Sequence, residues 1–284
     1  MRKISVDTER EAYLPGDAVR GKVRLSTDQP LRARAILLDV LGKEETRVTV
    51  QRGKSSYTYV STNIIIRGED LLLKPSVDEV LELQPGDYEF PFEFYVPANA
   101  LPSYAGRCAK VSYNLTARVD VPLWLDVKDE REIFVFRSRD ALEKLAQPAF
   151  FQSENYEPLT GEKPAFRVNL PRKGFVAGEF IEGTVTIRSK SSARVRKVRV
   201  VLKSQEHAVA QGYPSTQTPR EHKWDIPADD IAEGVPKPFT LPIPADAPSS
   251  YEGTYSSYRW ALEFDLDLAF AFDINALFPV EILR

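Results

Sequence analysis

Hydrophobic and polar side chains alternate along the chain, most regularly near its carboxyl end. Every even position from Tyr258 to Ile274 is hydrophobic, whereas the odd positions between them hold Arg, Glu, Asp and Ala. A period of two places the two sets on opposite faces of a strand, which is typical of a half-buried antiparallel sheet. One straight strand of this length would extend on the order of 50 Å at about 3.3 Å per residue, so the pattern predicts a bend or bulge near residues 269–271.

The same alternation recurs earlier in the chain. In residues 88–96 and 111–119, aromatic and aliphatic side chains again take every second position. Helical periodicity is confined to the short segment Asp140–Leu145, where Asp140 is suited to cap an amphipathic turn. The sequence therefore predicts an all-β fold class.

The chain also contains an internal repeat. Residues 13–23 align with residues 175–185 at an offset of 162, and residues 91–115 align with residues 238–262 at an offset of 147. Such a repeat predicts two tandem immunoglobulin-like β-sandwiches of about seven strands each. The predicted limits are 1–139 for the first sandwich, 140–164 for a polar, proline-containing linker, and 165–284 for the second sandwich.

Several motifs give the chain a resemblance to arrestins. They are Tyr13-x-Pro15-Gly16-Asp17, Tyr88-x-Phe90-Pro91-Phe92 and Leu101-Pro102-Ser103-Tyr104-x-Gly106 in the first half, and Arg172-Lys173-Gly174-Phe175 and Val280-Glu281-Ile282-Leu283 in the second. The motifs cover nearly the whole chain in the family's order, and α-arrestins and prokaryotic arrestin-like two-domain proteins are the branches that it resembles. The resemblance implies an adaptor that binds other proteins, including cytoplasmic segments of membrane proteins, through concave sheet faces and central loops, without catalysis.

A bare two-domain chain also resembles the arrestin-fold subunit of the retromer. The alternative function is therefore a structural or trafficking subunit of a larger assembly. The chain has no Pro-Pro-x-Tyr motif, so the ubiquitin-ligase recruitment associated with α-arrestins is not predicted.

Two basic regions are candidate partner-binding sites. Classical arrestins use basic residues on the first strand to grip receptor phosphates, and the resemblance places Arg2 and Lys3 there. The basic run 190–199 contributes Arg194 and Arg196, which could meet phosphate or an acidic peptide. The alternative for both regions is structural, because exposed strands commonly carry Lys and Arg as protection against edge pairing.

The segment 52–59 is a further candidate, because it lies in the 15-residue excess of the first repeat. Arrestins have a central loop near this position that inserts into partners, and loops on rigid sandwiches tend to carry function. The candidate residues are Arg52, Lys54, Tyr57 and Tyr59. A plain β-hairpin is the alternative interpretation of the segment.

Composition limits the remaining function classes. Hydrophobic residues make up 43% of the chain and charged residues 28%, so packed cores are expected. The net charge of −3 gives no global field that would attract nucleic acid, and no nucleic-acid partner is predicted. The single cysteine, Cys108, excludes an intramolecular disulfide and is interpreted as a structural thiol. The chain has no secretory signal and no apolar run of about 18 residues, so the predicted location is cytoplasmic.

The edges of the predicted sheets are exposed, and self-association through them is therefore a further possibility.

Residues suited to catalysis or metal binding are sparse. His207 and His222 lack ligand spacing and are interpreted as surface histidines. Asp120 and Asp267 correspond across the repeat and, with Asp265, could form a carboxylate pair for acid catalysis or calcium binding. They lie on the polar sides of their predicted strands, so solvated faces are the preferred interpretation. The sequence predicts no enzyme activity, no cofactor and no metal site.

Overall fold

The alternating pattern becomes strands throughout the computed structural model, which describes residues 2–73, 80–122, 127–137, 143, 145–146, 149–152, 165–188, 195–227, 234–268 and 274–284. The strands up to residue 137 are β1 (Arg2–Thr8), β2 (Ala12–Tyr13), β3 (Ala18–Thr27), β4 (Leu31–Ala33), β5 (Ala35–Arg52), β6 (Ser55–Leu73), β7 (Leu81–Leu83), β8 (Gly86–Tyr95), β9 (Tyr104–Ala105), β10 (Ala109–Asp120) and β11 (Val127–Val135). The later strands are β12 (Ala149–Gln152), β13 (Ala165–Leu170), β14 (Gly174–Val176), β15 (Phe180–Arg188), β16 (Val195–Ala210), β17 (Tyr213–Gln217), β18 (Glu221–Pro227), β19 (Lys237–Pro242), β20 (Tyr251–Glu252), β21 (Ser256–Leu268) and β22 (Ile274–Leu283).

The predicted all-β class of tandem β-sandwiches is confirmed. Within the described part of the chain, only Glu143 and Leu145 are helical. The other residues of the predicted turn Asp140–Leu145 lie outside the described residues. The predicted bend at residues 269–271 also lies outside the described residues. The predicted limits of the linker, 140–164, stay a prediction.

The chain divides into two compact units. Unit 1 contains Met1–Arg137 together with two later segments, Ala208–Pro214 and Gly253–Ser256. Its strands form a three-stranded sheet in the order β1-β3-β8, a larger sheet in the order β2-β11-β10-β5-β6 with β9 beside β10, and the pair β4-β7. Strand β6 is therefore at the edge of the larger sheet.

Unit 2 contains Ser138–His207, Ser215–Glu252 and Ser257–Arg284. Its sheets have the orders β12-β13-β15-β19 and β14-β22-β21-β16-β17, with β18 beside β16 and β20 beside β21. The even-numbered side chains of β21 fill the interior as the alternation predicts, since Trp260, Leu262 and Phe264 are almost completely buried.

The repeat extends to individual contacts inside each unit. In unit 1 the Tyr113 hydroxyl donates to the Leu101 carbonyl over 2.6 Å. In unit 2 the Trp260 Nε1 donates to the Pro248 carbonyl over 3.0 Å, and both residues stand 147 positions later. The two copies thus tether the same strand to the same preceding loop, although one uses a phenol and the other an indole.

A second repeated contact joins a loop to the last long strand of each unit. The backbone N–H of Val135 donates to the Ser103 hydroxyl over 2.9 Å, and that of Ile282 donates to the Ser250 hydroxyl over 3.0 Å. Serine at this position therefore satisfies a main-chain donor at the end of the sheet in both copies.

Candidate partner-binding surfaces

The segment 52–59 is the tip of the long β5–β6 hairpin. Strand pairing continues to Arg52 and Ser55, which leaves only Gly53 and Lys54 in the turn. Gly53 has a φ of 61°, as the first central position of a two-residue hairpin turn requires. Of the two interpretations of this segment, the backbone is the plain β-hairpin.

Arg52, Tyr59 and Tyr213 form a cluster at this tip, here called the tip cluster. The Arg52 Nη2 donates to the Tyr213 hydroxyl over 2.7 Å, and its guanidinium carbon lies 5.5 Å from the centre of the Tyr213 ring. The Tyr59 ring stacks on that of Tyr213 with centroids 4.1 Å apart. A side-chain hydrogen bond between Tyr59 and Tyr213 is the main cause that raises the pKa of Tyr59 above its ordinary value. The tip cluster therefore fixes both strands of the hairpin against residue 213.

The turn between β16 and β17 supplies Tyr213 and is itself attached to β6. Gln211 and Gly212 have φ values of 50° and 83°, which give this turn its tight left-handed form. The Gln211 N–H donates to the Ser61 hydroxyl over 2.9 Å, and its side-chain amide donates to the Val60 carbonyl over 3.2 Å. Residues 208–214 belong to unit 1, so these contacts brace the hairpin within one unit.

Lys54 and Tyr57 are the predicted tip residues that lie outside the tip cluster, and both are exposed. Tyr57 is 49% exposed, and Lys54 has no carboxylate within ion-pair distance among the residues that the structure describes. An ammonium group and an accessible phenol can bind carboxylates, phosphates and aromatic or cationic groups. The tip thus exposes an ammonium group and a phenol on a hairpin that the tip cluster holds in place.

Arg2 and Lys3 begin strand β1, where they pair with Thr27 and Ser26 of β3. Both side chains are exposed, and neither has an ion pair with a carboxylate in the described ranges. Arg2 also interacts electrostatically with Asp28, so an anionic partner at Arg2 would compete with that carboxylate.

The second basic region differs, because the cations that the structure describes there already have partners. Arg196 donates from Nε to Asp267 Oδ1 over 2.7 Å, and Lys197 and Arg199 both lie close to Asp225. Arg194 lies outside the described residues. An anionic ligand at Arg196 would have to compete with the aspartate.

The sequence analysis missed a charged face on the β1-β3-β8 sheet. Arg20, Lys22 and Arg24 of β3 alternate on its outer side and pair with acidic residues of the neighbouring strands. Lys22 and then Arg24 hold the pKa of Glu89 below its usual range through hydrogen bonds. These residues border a depression of about 620 Å³. The alternate spacing of the basic residues was a signal in the sequence, but their partners depend on strand register.

A buried carboxylate was also missed. Glu44 is completely buried in unit 1, where residues 254–256 surround it with backbone N–H groups. The donor distances are 3.0 Å from Thr254, 2.9 Å from Tyr255 and 2.7 Å from Ser256. The Ser256 hydroxyl donates a fourth hydrogen bond to this carboxylate. The side-chain amide of Asn63 donates a fifth, which is longer at 3.4 Å. A Cβ atom at Gly253 would collide with this carboxylate, so glycine is needed there.

The remaining polar candidates do not gather into a site. The His207 Nδ1 lies 3.0 Å from the Thr216 hydroxyl, whereas the His222 ring lies beside that of Trp224 and its buried Nε2 has no hydrogen-bond partner among the described residues. Asp120 lies 3.4 Å from Arg34, and Asp267 is occupied by Arg196. Across the described ranges, His, Cys, Asp and Glu side chains do not gather in groups of three or more that could hold a metal ion. In that same part of the chain, every helix is too short or too polar to cross a membrane.

Comparison with known families gives a match to each half. Residues 2–141 match the family described as "Arrestin (or S-antigen), N-terminal domain", and residues 161–284 match "Arrestin (or S-antigen), C-terminal domain". The two matches follow each other in the order that the motifs imply.

Individual relatives are more distant. The chain is 24% identical to "Arrestin domain-containing protein B" of Dictyostelium discoideum over 280 residues, which covers 97% of this chain and 44% of that protein. It is 27% identical to "Arrestin domain-containing protein 4" of Homo sapiens over 262 residues, covering 86% and 61% respectively. The chain therefore spans about half the length of the curated relatives that it matches.

Proposed function

Because this chain belongs to the arrestin family, whose members are generally non-enzymatic adaptors, we propose that it is a cytoplasmic adaptor or scaffold for other proteins. Its partners include cytoplasmic segments of membrane proteins, and binding involves no catalysis. The chain matches only about half of each longer relative, so this function is proposed for the two arrestin domains.

The observation that carries the proposal is the braced hairpin tip. Arg52 and Tyr59 contact Tyr213, whereas Lys54 and Tyr57 beside them are exposed and lie outside this cluster. Prior ordering of the support reduces the conformational entropy that binding would otherwise cost. The chemistry of Lys54 and Tyr57 fits an acidic segment that also carries aromatic or cationic side chains.

The proposal is tested by affinity capture from the native lysate with three immobilised proteins. They are the wild type, a tip variant with Lys54→Glu and Tyr57→Ser, and a control variant with Lys128→Glu and Phe134→Ser. The control removes a cation and an aromatic ring that are also exposed, but on β11. We expect the wild type and the control to retain the same proteins and the tip variant to lose them.

Retention of the same proteins by the tip variant would exclude the tip as the binding surface, and an empty capture by the wild type would argue against an adaptor. The capture is repeated after phosphatase treatment of the lysate, with Arg2→Glu and Lys3→Glu as a further variant. If phosphate is recognised by the start of β1, phosphatase and the double substitution remove the same proteins.

A further inference from the structure

One end of unit 1 has no acidic residue in its sequence. This region, here called the hairpin end, consists of residues 46–63 and the turn 208–214, which contact each other through Gln211 and Tyr213. Neither segment contains Asp or Glu, although these make up 41 of the 284 residues of the chain. A chain with a net charge of −3 therefore has a local region of positive charge. The cations of the hairpin end are Arg47, Arg52 and Lys54.

The opposite end of the same β5–β6 hairpin is acidic. Asp39 and Glu69 lie opposite each other in the pairing of β5 with β6, and Asp70 follows Glu69. Arg118 neutralises part of this charge through ion pairs of 2.8 Å with Asp39 and with Glu69. The hairpin is therefore polarised along its length, and the field of a negatively charged surface would turn its tip toward that surface.

The tip of the hairpin extends past the neighbouring strand of its sheet. β10 pairs with β5 only as far as Thr46, whereas β5 and β6 stay paired to Arg52 and Ser55. At about 3.3 Å per residue, residues 47–52 continue on the order of 20 Å past β10. The basic tip can thus meet a surface while the acidic end of the hairpin stays away from it.

The cations occupy both faces of this projecting hairpin. Side chains alternate along β5, so Arg47 and Arg52 point to opposite faces, and Lys54 lies in the turn between the strands. The Arg47 side chain is 63% exposed and lies 3.6 Å from Glu45. Arg52 binds the neutral hydroxyl of Tyr213. A bound peptide would contact one face of the hairpin, whereas lipid headgroups can surround a tip that enters their layer.

The aromatic side chains of the hairpin end fit the same surroundings. Tyr57 is 49% exposed, and Tyr59 stacks on Tyr213. Tyrosine is enriched at membrane–water interfaces, because its ring is apolar and its hydroxyl is polar. A headgroup phosphate also accepts a stronger, charge-assisted hydrogen bond from a guanidinium group than a phenol does, so it can compete with Tyr213 for Arg52.

We propose that the hairpin end of unit 1 binds the surface of an anionic lipid bilayer. This contact rests on the same exposed tip as the proposed function, but its ligand is lipid, and it would bring the chain to the membrane proteins proposed as partners. Each Lys or Arg close to an anionic membrane surface strengthens binding about fivefold.

Vesicle sedimentation tests the proposal with the purified chain and vesicles that contain no protein. The vesicles consist of phosphatidylcholine alone or with about one-third phosphatidylserine. We expect the wild type to sediment only with the anionic vesicles, and less as salt screens the charges. Arg47→Glu with Lys54→Glu should weaken binding at least about 25-fold, since both cations are lost. The control, Lys128→Glu with Lys223→Glu, changes the net charge equally at two other exposed lysines and should bind like the wild type.

A fluorescent label tests independently which part of unit 1 meets the lipid. In a Cys108→Ser background, an environment-sensitive fluorophore is attached to Ser56→Cys in the tip or to Glu130→Cys on β11, both of which are exposed positions. With anionic vesicles, we expect the emission to shift to shorter wavelengths for the label at position 56 and to stay constant for the label at position 130.

Several outcomes would overturn the proposal. They are equal binding to both kinds of vesicle, equal losses in the two double variants, and equal emission shifts at positions 56 and 130. Binding of poly-L-glutamate without binding of vesicles would mean that the tip recognises an acidic polypeptide, which overturns the lipid contact and leaves the proposed function intact. Release from vesicles by inorganic phosphate at constant ionic strength would indicate a site for free phosphate instead. Expected vesicle binding with unchanged protein capture by Lys54→Glu and Tyr57→Ser would support the lipid contact and exclude only protein binding by the tip.

Discussion

The carboxylate of Glu44 accepts two hydrogen bonds from Ser256, one from the backbone N–H and one from the hydroxyl, each 2.7 Å long. The two residues are 212 positions apart in the sequence, yet both belong to unit 1. A buried carboxylate is tolerated only where hydrogen bonds replace its hydration. Residues 254–256 therefore do for Glu44 what solvent does for an exposed glutamate.

We expect Glu44→Gln to lower the free energy of unfolding by about 3 kcal/mol. The amide loses the charge-assisted hydrogen bonds, and its own N–H donors then face the N–H and O–H donors of residues 254–256. Urea unfolding measures the change. The control is Glu45→Gln, in which a partly exposed carboxylate beside Lys43 is removed, and its cost should stay below about 1 kcal/mol. Equal effects of the two substitutions would show that the buried bonds add nothing.

Tyr113 is expected to make stability fall at alkaline pH. Burial raises the pKa of its phenol, so the folded protein keeps the proton at pH values where the unfolded chain has lost it. The corresponding stability is complete below about pH 10, the ordinary pKa of tyrosine, and is lost as the pH rises toward the raised value.

Tyr113→Phe should therefore show a shallower decline of Tm above about pH 10 than the wild type. At neutral pH it should be less stable by about 1 kcal/mol, since the bond to the Leu101 carbonyl is lost. Phe92→Leu serves as the control, because it weakens the same unit without removing a phenol. An alkaline decline in Tyr113→Phe as steep as that of the control would refute the assignment.

Tyr213→Ala is expected to loosen the hairpin tip. The substitution removes the ring on which Tyr59 stacks and the hydroxyl that binds Arg52. Backbone amides of residues 50–60 should then exchange with deuterium faster than in the wild type. Tyr57→Ala removes an equally large ring that is exposed, and exchange in that variant should stay near the wild-type rate. Unchanged exchange in Tyr213→Ala would mean that the hairpin is held by its strand pairing alone.

The fold followed from the sequence because alternation and repetition are local or periodic signals. The offset of 147 aligns Tyr113 with Trp260 in the sequence. The matching hydrogen bonds of these two side chains are visible only in the structure. The hairpin at 52–59 was left open between loop and hairpin, since Gly53 permits either. The pairing register of β5 and β6 determines that the segment is a hairpin. That register depends on contacts throughout the sheet and not on the segment alone.

The surfaces were harder to predict because partners lie far away in the chain. Arg196 and Asp267 were both noted in the sequence, but their ion pair depends on how two strands align. Glu44 did have a signal, since it shares the inward parity of the buried residues Val40 and Val48 on β5. Nothing near it in sequence identifies residues 254–256 as its donors.

Unit 1 is built from three separate segments of the chain, so a truncation between them would remove part of it. A fragment that ends at residue 141, where the first family match stops, contains strands β1–β11 and Glu44. It does not contain residues 254–256, which donate hydrogen bonds to that carboxylate, nor Tyr213, on which Tyr59 stacks. The sequence repeats half by half, whereas the first compact unit includes two segments from the second half. A truncated chain that ends with the first family match would therefore leave Glu44 buried without its donors.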